Sequence, residues 1–239
     1  MQPSCSAGEA PEIFSGLATV LRTAGDVDAV GVAIPGPFDY AAGISWMEHK
    51  FGAIRGVKLA DCFSDLPVRF IHDANAFLLG EIAHGAARGF RRTAGITLGT
   101  GLGAAFAVDG KTKNNEWGSP AAEVTLWQRP LGDGIAEDRI SSRGLLAACP
   151  AESVKLLAER ARNRDPASLG AWRSFGEALA EVLTPWYEEL KPEVIVVGGQ
   201  IARDLDLFDE PLTHLPLKPS VLGEKSALLG AAELWFGKI

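Results

Sequence analysis

A short buried-type strand that ends in glycine occurs twice in this chain, and both times the same pieces follow in the same order. Ala29-Val30-Gly31-Val32-Ala33-Ile34 runs into Pro35-Gly36-Pro37, and Val194-Ile195-Val196-Val197 runs into Gly198-Gly199. After the first come Leu66-Pro67 and a helical stretch with Leu78-Leu79-Gly80; after the second come Leu215-Pro216 and Leu228-Leu229-Gly230. Apolar runs of this length bounded by glycine and proline read as strands buried on both faces, and their alternation with helical patterns predicts an α/β protein. A duplicated α/β unit and chance recurrence of common α/β grammar both fit a likeness this short.

The repeat places the remaining pieces. Ile13, Phe14, Leu17, Val20 and Leu21 fall on one face of a helix that Gly25 closes. Residues 1–10 are small and polar and are expected to be loose. Phe38 to Asp65, with Trp46, Met47, His49 and Phe51, shows no clear period and is expected to be a long, partly ordered loop. Val68-Arg69-Phe70-Ile71 is a strand that hands over at His72-Asp73 to a helix reaching about Ala87. Thr93–Leu98 and a second strand to Val108 flank Gly99-Thr100-Gly101-Leu102-Gly103, and Asp109-Gly110 is a tight hairpin turn. A helix is expected from about Glu137 to Ala148, and another resumes at Ala151. Asp165-Pro166 is a helix cap followed by proline at the first position, Leu169 to Leu190 forms an apolar stripe, and Pro185 should kink it. A short strand at Leu215–Lys218 and a helix from Lys225 to Trp235 complete the chain.

Composition excludes several classes. The 239 residues suffice for one large domain or two lobes, and the 47% hydrophobic content fills a core. A net charge of −7 argues against a nucleic-acid binder, whose footprint is basic. Cys5, Cys62 and Cys149 show neither disulfide nor zinc spacing, which suits a reducing cytoplasm. No apolar run approaches the ~20 residues that span a bilayer, and no secretory signal is visible, so no membrane association is expected.

With these pieces placed, the chain resembles the ROK family (repressor, open reading frame, kinase) of glucokinase-like proteins across most of residues 9–236. The resemblance rests on Val32-Ala33-Ile34-Pro35-Gly36-Pro37, Asp73-Ala74-Asn75-Ala76, Leu98-Gly99-Thr100-Gly101-Leu102-Gly103, Ala122-Glu123-Val124, Gly134-Ile135-Ala136-Glu137 and Val196-Val197-Gly198-Gly199. It implies the two-lobed fold shared by actin, Hsp70 and hexokinase, with residues 1–74 in a sugar-binding lobe and 75–239 in a nucleotide-binding lobe. The closing helix at 225–236 would pack back on the first lobe.

The activity implied is phosphoryl transfer from ATP, carried with Mg, to a hexose hydroxyl, and the implied partners are a sugar and a nucleotide. Asp73 would be the general base, with capping of its helix as the plainer reading. Gly36, His72, Asp73, Glu123 and Glu137 would contact the sugar, unless the two glutamates are solvated surface groups. Gly99, Thr100, Gly101 and Gly103 would let backbone amides approach phosphate oxygens. Gly198 and Gly199 would make room for the nucleotide or simply open a helix.

The chain departs from the family pattern in four places. The opening D-x-G-x-T phosphate loop has no counterpart, so the first lobe is expected to lack its opening hairpin. His72 stands where the family has asparagine. Leu126 replaces the histidine of the G-E-I-G-H segment, and the zinc cysteines are missing from 126–137, so no zinc is expected. No DNA-binding segment is recognisable. Two readings stay open: a ROK-type sugar kinase, weak in the chain as printed, and an inactive sugar-binding or regulatory remnant. A third is a scaffold forming a homodimer through an exposed lobe edge.

Overall fold

A computed structural model describes residues 10–48, 51–63 and 66–237. Of residues 1–10, expected to be loose, 1–9 lie outside the described residues, as does the loop residue His49, whereas Ala10 already opens a helix.

Helix α1 (Ala10–Ala24) leads into strand β1 (Val30–Ile34), and a small hairpin follows, β2 (Phe38–Asp39) with β3 (Ile44–Ser45). The segment read as a loop therefore carries regular structure: this hairpin and two 3₁₀ turns, at Gly52–Ile54 and Leu59–Phe63. Phe38, Met47, Ile54, Leu59 and Phe63 are buried under it with Ile13 and Ile34. Its apolar residues follow no helix or strand period because each anchors a separate turn onto a common core. Val20, placed on the buried face by its spacing, is exposed; it lines an open apolar groove together with Leu17 and Val32.

Strand β4 (Val68–His72) pairs in parallel with β1, so that Ile34 lies opposite His72. Both strands then end at the same edge, with Gly36 and Asp73 leaving side by side. Helix α2 (Asp73–His84) begins directly at Asp73, three residues shorter at its C-terminus than expected. Every residue from Ala74 to Glu81 is buried, because α2 packs on three sides. Ala76 and Leu79 meet Ile71 and Ala231, Ala74 and Leu78 meet Ala105 and Ala107, and Phe77 meets Val194 and Val196.

The second sheet is larger. Strands β5 (Arg92–Leu98), β6 (Leu102–Val108) and β7 (Lys111–Thr112) form an antiparallel meander. Asp109 and Gly110 both take positive φ, 50° and 76°, the geometry that lets a two-residue turn follow the strand twist. A hairpin of β8 (Pro130–Leu131) and β9 (Gly134–Ile135) follows. The single helix expected from Glu137 is two pieces, α3 (Ala136–Arg139) and α4 (Ser142–Ala148), because Ser141 caps a new start by accepting from the Gly144 amide. Helix α5 (Val154–Arg162) precedes α6 (Pro166–Leu190), whose Asp165 cap accepts from the Ser168 amide as the sequence predicts. Pro185 lies inside α6, which runs on to Leu190 as one assigned helix. Leu169, included in its stripe, is exposed, whereas Trp172, Leu183 and Trp186 are fully buried.

Strand β10 (Val194–Gly198) sits between β5 and β11 (Leu217–Pro219), parallel to both, giving the order β11-β10-β5-β6-β7. Helix α7 (Ser226–Phe236) packs along α2 and over β1. The two Leu-Leu-Gly segments meet there. A Cβ on Gly80 would lie 2.0 Å from the Ser226 carbonyl oxygen, and one on Gly230 would lie 1.8 Å from that of Ala76. Each glycine faces the residue four before the other, so α2 and α7 cross with local two-fold symmetry and backbones nearly touching. Among the described residues, no helix is long and apolar enough to cross a membrane.

Candidate functional site

The candidate site lies where the C-terminal ends of the parallel strands gather, the crevice in which open α/β sheets hold ligands. Asp73 reaches it from the N-terminus of α2, whose packing on three sides leaves that end little freedom. The residue capping α2 is His72: its Nδ1 accepts from the Ala74 amide at 3.2 Å. Asp73 Oδ1 takes the same amide at 2.8 Å, and Oδ2 takes no hydrogen bond among the described residues. The plain capping reading of Asp73 thus has a competitor one residue earlier. The side chain of Asp73 is half exposed.

His72 is mostly buried. Burial pushes its pKa below 6.5, and the adjacent Asp73 charge only partly opposes this. The same Nδ1 lies 3.1 Å from Asp73 Oδ1, so the neutral ring carries its proton either on Nδ1, toward that carboxylate, or on Nε2, and the other nitrogen accepts.

Around this pair the structure adds residues the sequence did not single out. The Tyr40 ring lies 6.0 Å from that of His72, and its hydroxyl donates to the Ile34 carbonyl at 2.9 Å. Burial, and then the Asp73 charge, push the Tyr40 hydroxyl far above its usual range, so it stays neutral. Gly36 is pinned beside it: a Cβ there would come within 3.3 Å of Ser119 Oγ and 3.7 Å of Tyr40 Oη. Fully buried Asn75 donates from Nδ2 to Asn114 Oδ1 at 2.9 Å and to the Gly118 carbonyl at 3.3 Å. Those two bonds tie the 113–120 loop, and Ser119 with it, onto α2. Asn75 lies inside the quoted Asp-Ala-Asn-Ala segment, the one signal that could have found it; Tyr40 and Ser119 sit in loops without a pattern.

The glycine turn joins this cluster from the other side. A Cβ on Gly103 would lie 3.6 Å from that of Ala74, so the turn between β5 and β6 abuts the start of α2. Ser142 fixes the turn, its amide and its hydroxyl both donating to the Gly99 carbonyl at 2.8 and 2.9 Å. Gly198 and Gly199 line the same region. Gly198 lies against the Phe77 ring, and Gly199, at φ 93°, lies against the Leu98 backbone, where a Cβ would come within 2.2 Å of the carbonyl oxygen.

Both candidate glutamates take partners within the chain. Glu123 pairs with Lys113 at 2.8 Å, and this contact lowers its pKa. Its carbonyl accepts from Arg129 at 2.9 Å, while Trp186 Nε1 donates to the neighbouring Val124 carbonyl at 3.0 Å. Glu137 Oε2 accepts from the Leu102 amide at 2.9 Å, on the glycine turn itself. Thus Gly36, His72, Asp73 and the glycines at 99–103 and 198–199 form one contiguous region, with Thr100 on the turn. Glu137 touches that region through the turn, and Glu123 adjoins it through the loop that Lys113 begins.

Among the described residues no group of three or more His, Cys, Asp or Glu could hold a metal ion.

Comparison with known proteins gives a family model described as ROK family, matching residues 12–122. A glucokinase of Thermotoga maritima is 26% identical over 260 residues, covering 90% of this chain and 82% of its own. The N-acetylgalactosamine kinase AgaK of Shewanella sp. strain ANA-3 is 25% identical, covering 89% and 80%. In fold, the chain matches a ROK family glucokinase from Streptomyces griseus, solved with glucose and AMPPNP, at a TM-score of 0.80. That match has 24% identity and covers 95% of this chain and 88% of that one.

Proposed function

As the chain belongs to the ROK family and has its two-lobed actin-like fold, we propose that it is a sugar kinase moving a phosphoryl group from ATP to a hexose hydroxyl. The observation that carries this is the meeting of three chain exits. His72-Asp73 leaves β4, Gly36 leaves β1 beside it, and the glycine turn rests on Ala74. In such reactions the enzyme contributes positioning and charge stabilisation rather than covalent help.

Asp73 accepts the proton of the attacking hydroxyl on the oxygen that the helix amide leaves free. His72 hydrogen-bonds a neighbouring sugar hydroxyl through Nε2, as donor or acceptor, in the place where the resemblance has asparagine. Gly36, with Tyr40 and Ser119 packed against it, shapes the sugar's floor. The amides of Gly99–Gly103 approach the phosphates, and Gly198-Gly199 leaves room for the base. Residues 1–74 act as the sugar lobe and 75–239 as the nucleotide lobe, with α2 shared between them.

The rival reading is a sugar binder without turnover. It is favoured by one observation: among the described residues a single glycine-rich turn lies beside Asp73. A coupled assay for ADP with glucose and Mg-ATP decides. Turnover that falls about 10³-fold in Asp73→Asn, within the usual range for a general base, supports the kinase. Glucose binding without turnover in the unmodified chain supports the rival.

A further inference from the structure

Ser119 stands at the candidate sugar site with one polar group to spare. Its amide donates to Asn115 Oδ1 at 3.1 Å, and its carbonyl accepts from the Asn115 amide at 2.8 Å. Both backbone groups are thus used inside the 113–120 loop. The hydroxyl is left beside Gly36, 3.3 Å from where a Cβ on that glycine would lie. Three contacts keep the loop there. The Tyr40 amide donates to the Trp117 carbonyl at 3.2 Å, and a Cβ on Gly118 would come within 3.1 Å of the Tyr40 side chain. Asn75 holds the same loop from α2. Tyr40 is buried, whereas Ser119 is half-buried and lies at the boundary of the site.

The protons of this cluster run one way. Neutral Tyr40 has a single proton, and it goes to the Ile34 carbonyl at 2.9 Å. Toward Ser119 the phenol oxygen therefore offers only lone pairs, so the hydrogen bond between the two hydroxyls is donated by Ser119. A serine hydroxyl whose proton is committed in this way has only acceptor capacity left for a ligand. We propose that Ser119 contacts the sugar and that Tyr40 fixes it as an acceptor, so that the site selects a hexose presenting a donor, a hydroxyl or an acylated amine N–H, at the carbon over Gly36. The bonds then follow in one direction, from sugar to Ser119 to Tyr40 to the Ile34 carbonyl, and each polarises the next. This rests on the sugar-kinase reading above and adds which kind of group the sugar must offer.

The test is calorimetric titration of whichever of glucose, mannose and galactose binds most tightly, with its monodeoxy and monodeoxyfluoro analogues. Fluorine replaces the hydroxyl by a group that cannot donate. At one carbon both analogues are expected to bind the unmodified chain about tenfold more weakly than the parent sugar. In Ser119→Ala the loss at that carbon should vanish while losses at other carbons persist; a serine that only shaped the loop would weaken all the sugars alike. In Tyr40→Phe the serine proton is released, and there the fluoro analogue should bind about twofold more tightly than the deoxy one. Losses that match carbon by carbon in Ser119→Ala and the unmodified chain overturn the proposal and leave the kinase reading standing. So does a fluoro analogue that binds the unmodified chain as well as the parent at that carbon. Equal binding of the two analogues to Tyr40→Phe overturns the role given to Tyr40. Binding of none of the three hexoses overturns the kinase reading as well. Should Ser119→Ala not fold, Ser119→Gly takes its place with the same expectations.

Discussion

Strands β1 and β10 have nearly the same sequence character and opposite surroundings. Val-Gly-Val-Ala-Ile in β1 is half-buried up to Ile34, while Val-Ile-Val-Val-Gly in β10 is buried at all five positions. The cause is neighbours. β10 has a parallel strand on each side, β5 and β11, whereas β1 among the described residues pairs with β4 alone. An apolar groove beside β1 is lined by Ile13, Leu17, Val32, Ile34 and Phe70. Apolar, β-branched sequence says that a strand is suited to burial, and the number of strands laid against it decides how much burial it receives.

This contrast can be sharpened by matched substitutions. Ile195→Ala in β10 should cost about 4 kcal/mol, since a fully buried side chain in a dense layer leaves a cavity that cannot collapse. Val32→Ala in β1 should cost about 1 kcal/mol, because the half-buried site loses less contact. Urea unfolding measures both, and equal costs would mean that β1 is covered in solution.

The helices carry the same contrast. Gly230→Ala drives a methyl into the Ala76 carbonyl at the α2–α7 crossing and should cost about 3 kcal/mol by overpacking. Gly16→Ala in α1 meets nothing within 4 Å and should stabilise by about 0.7 kcal/mol through helix propensity alone. Thermal melts of the pair read the difference, and a neutral Gly230→Ala would refute the close crossing.

A pH-dependent effect concerns His72. Its folded pKa lies below 6.5, so as the pH falls the unfolded chain takes the proton first. The stability that accompanies a neutral His72 is complete above about pH 6.5 and is lost as the pH falls toward the folded value. The slope is at most about 1.4 kcal/mol per pH unit, and His72→Gln should remove it. Denaturation midpoints between pH 7 and pH 5 check this; a slope that survives the substitution assigns it to other groups.

Much of the fold was legible from short-range rules. Asp109-Gly110 could make only a tight turn, Asp165-Pro166 could only start a helix, and the two glycine-ended strands appear where their apolar runs lie. The strand exits at Gly36 and Asp73 and the glycine turns at 99–103 and 198–199 were legible too, because such exits and turns are written in consecutive residues. The segment from Phe38 to Phe63 was not, since its buried residues pack one turn at a time. Val20 and Leu169 obey helical periodicity and face solvent all the same, because periodicity specifies a face and not what covers it.

The sequence by itself determined the elements, their order and the residues at their ends, since backbone preference, capping and turn chemistry act over three or four positions. Only the tertiary structure decided which partners those residues take. It made His72 the residue capping α2, brought Tyr40 and Ser119 to Gly36, set Gly80 and Gly230 against each other's helices, and laid Glu137 on the glycine turn. Each of these joins residues far apart in the chain or chooses between competing acceptors. Such choices depend on which surfaces pack together, and packing is a property of the whole chain rather than of any stretch of it.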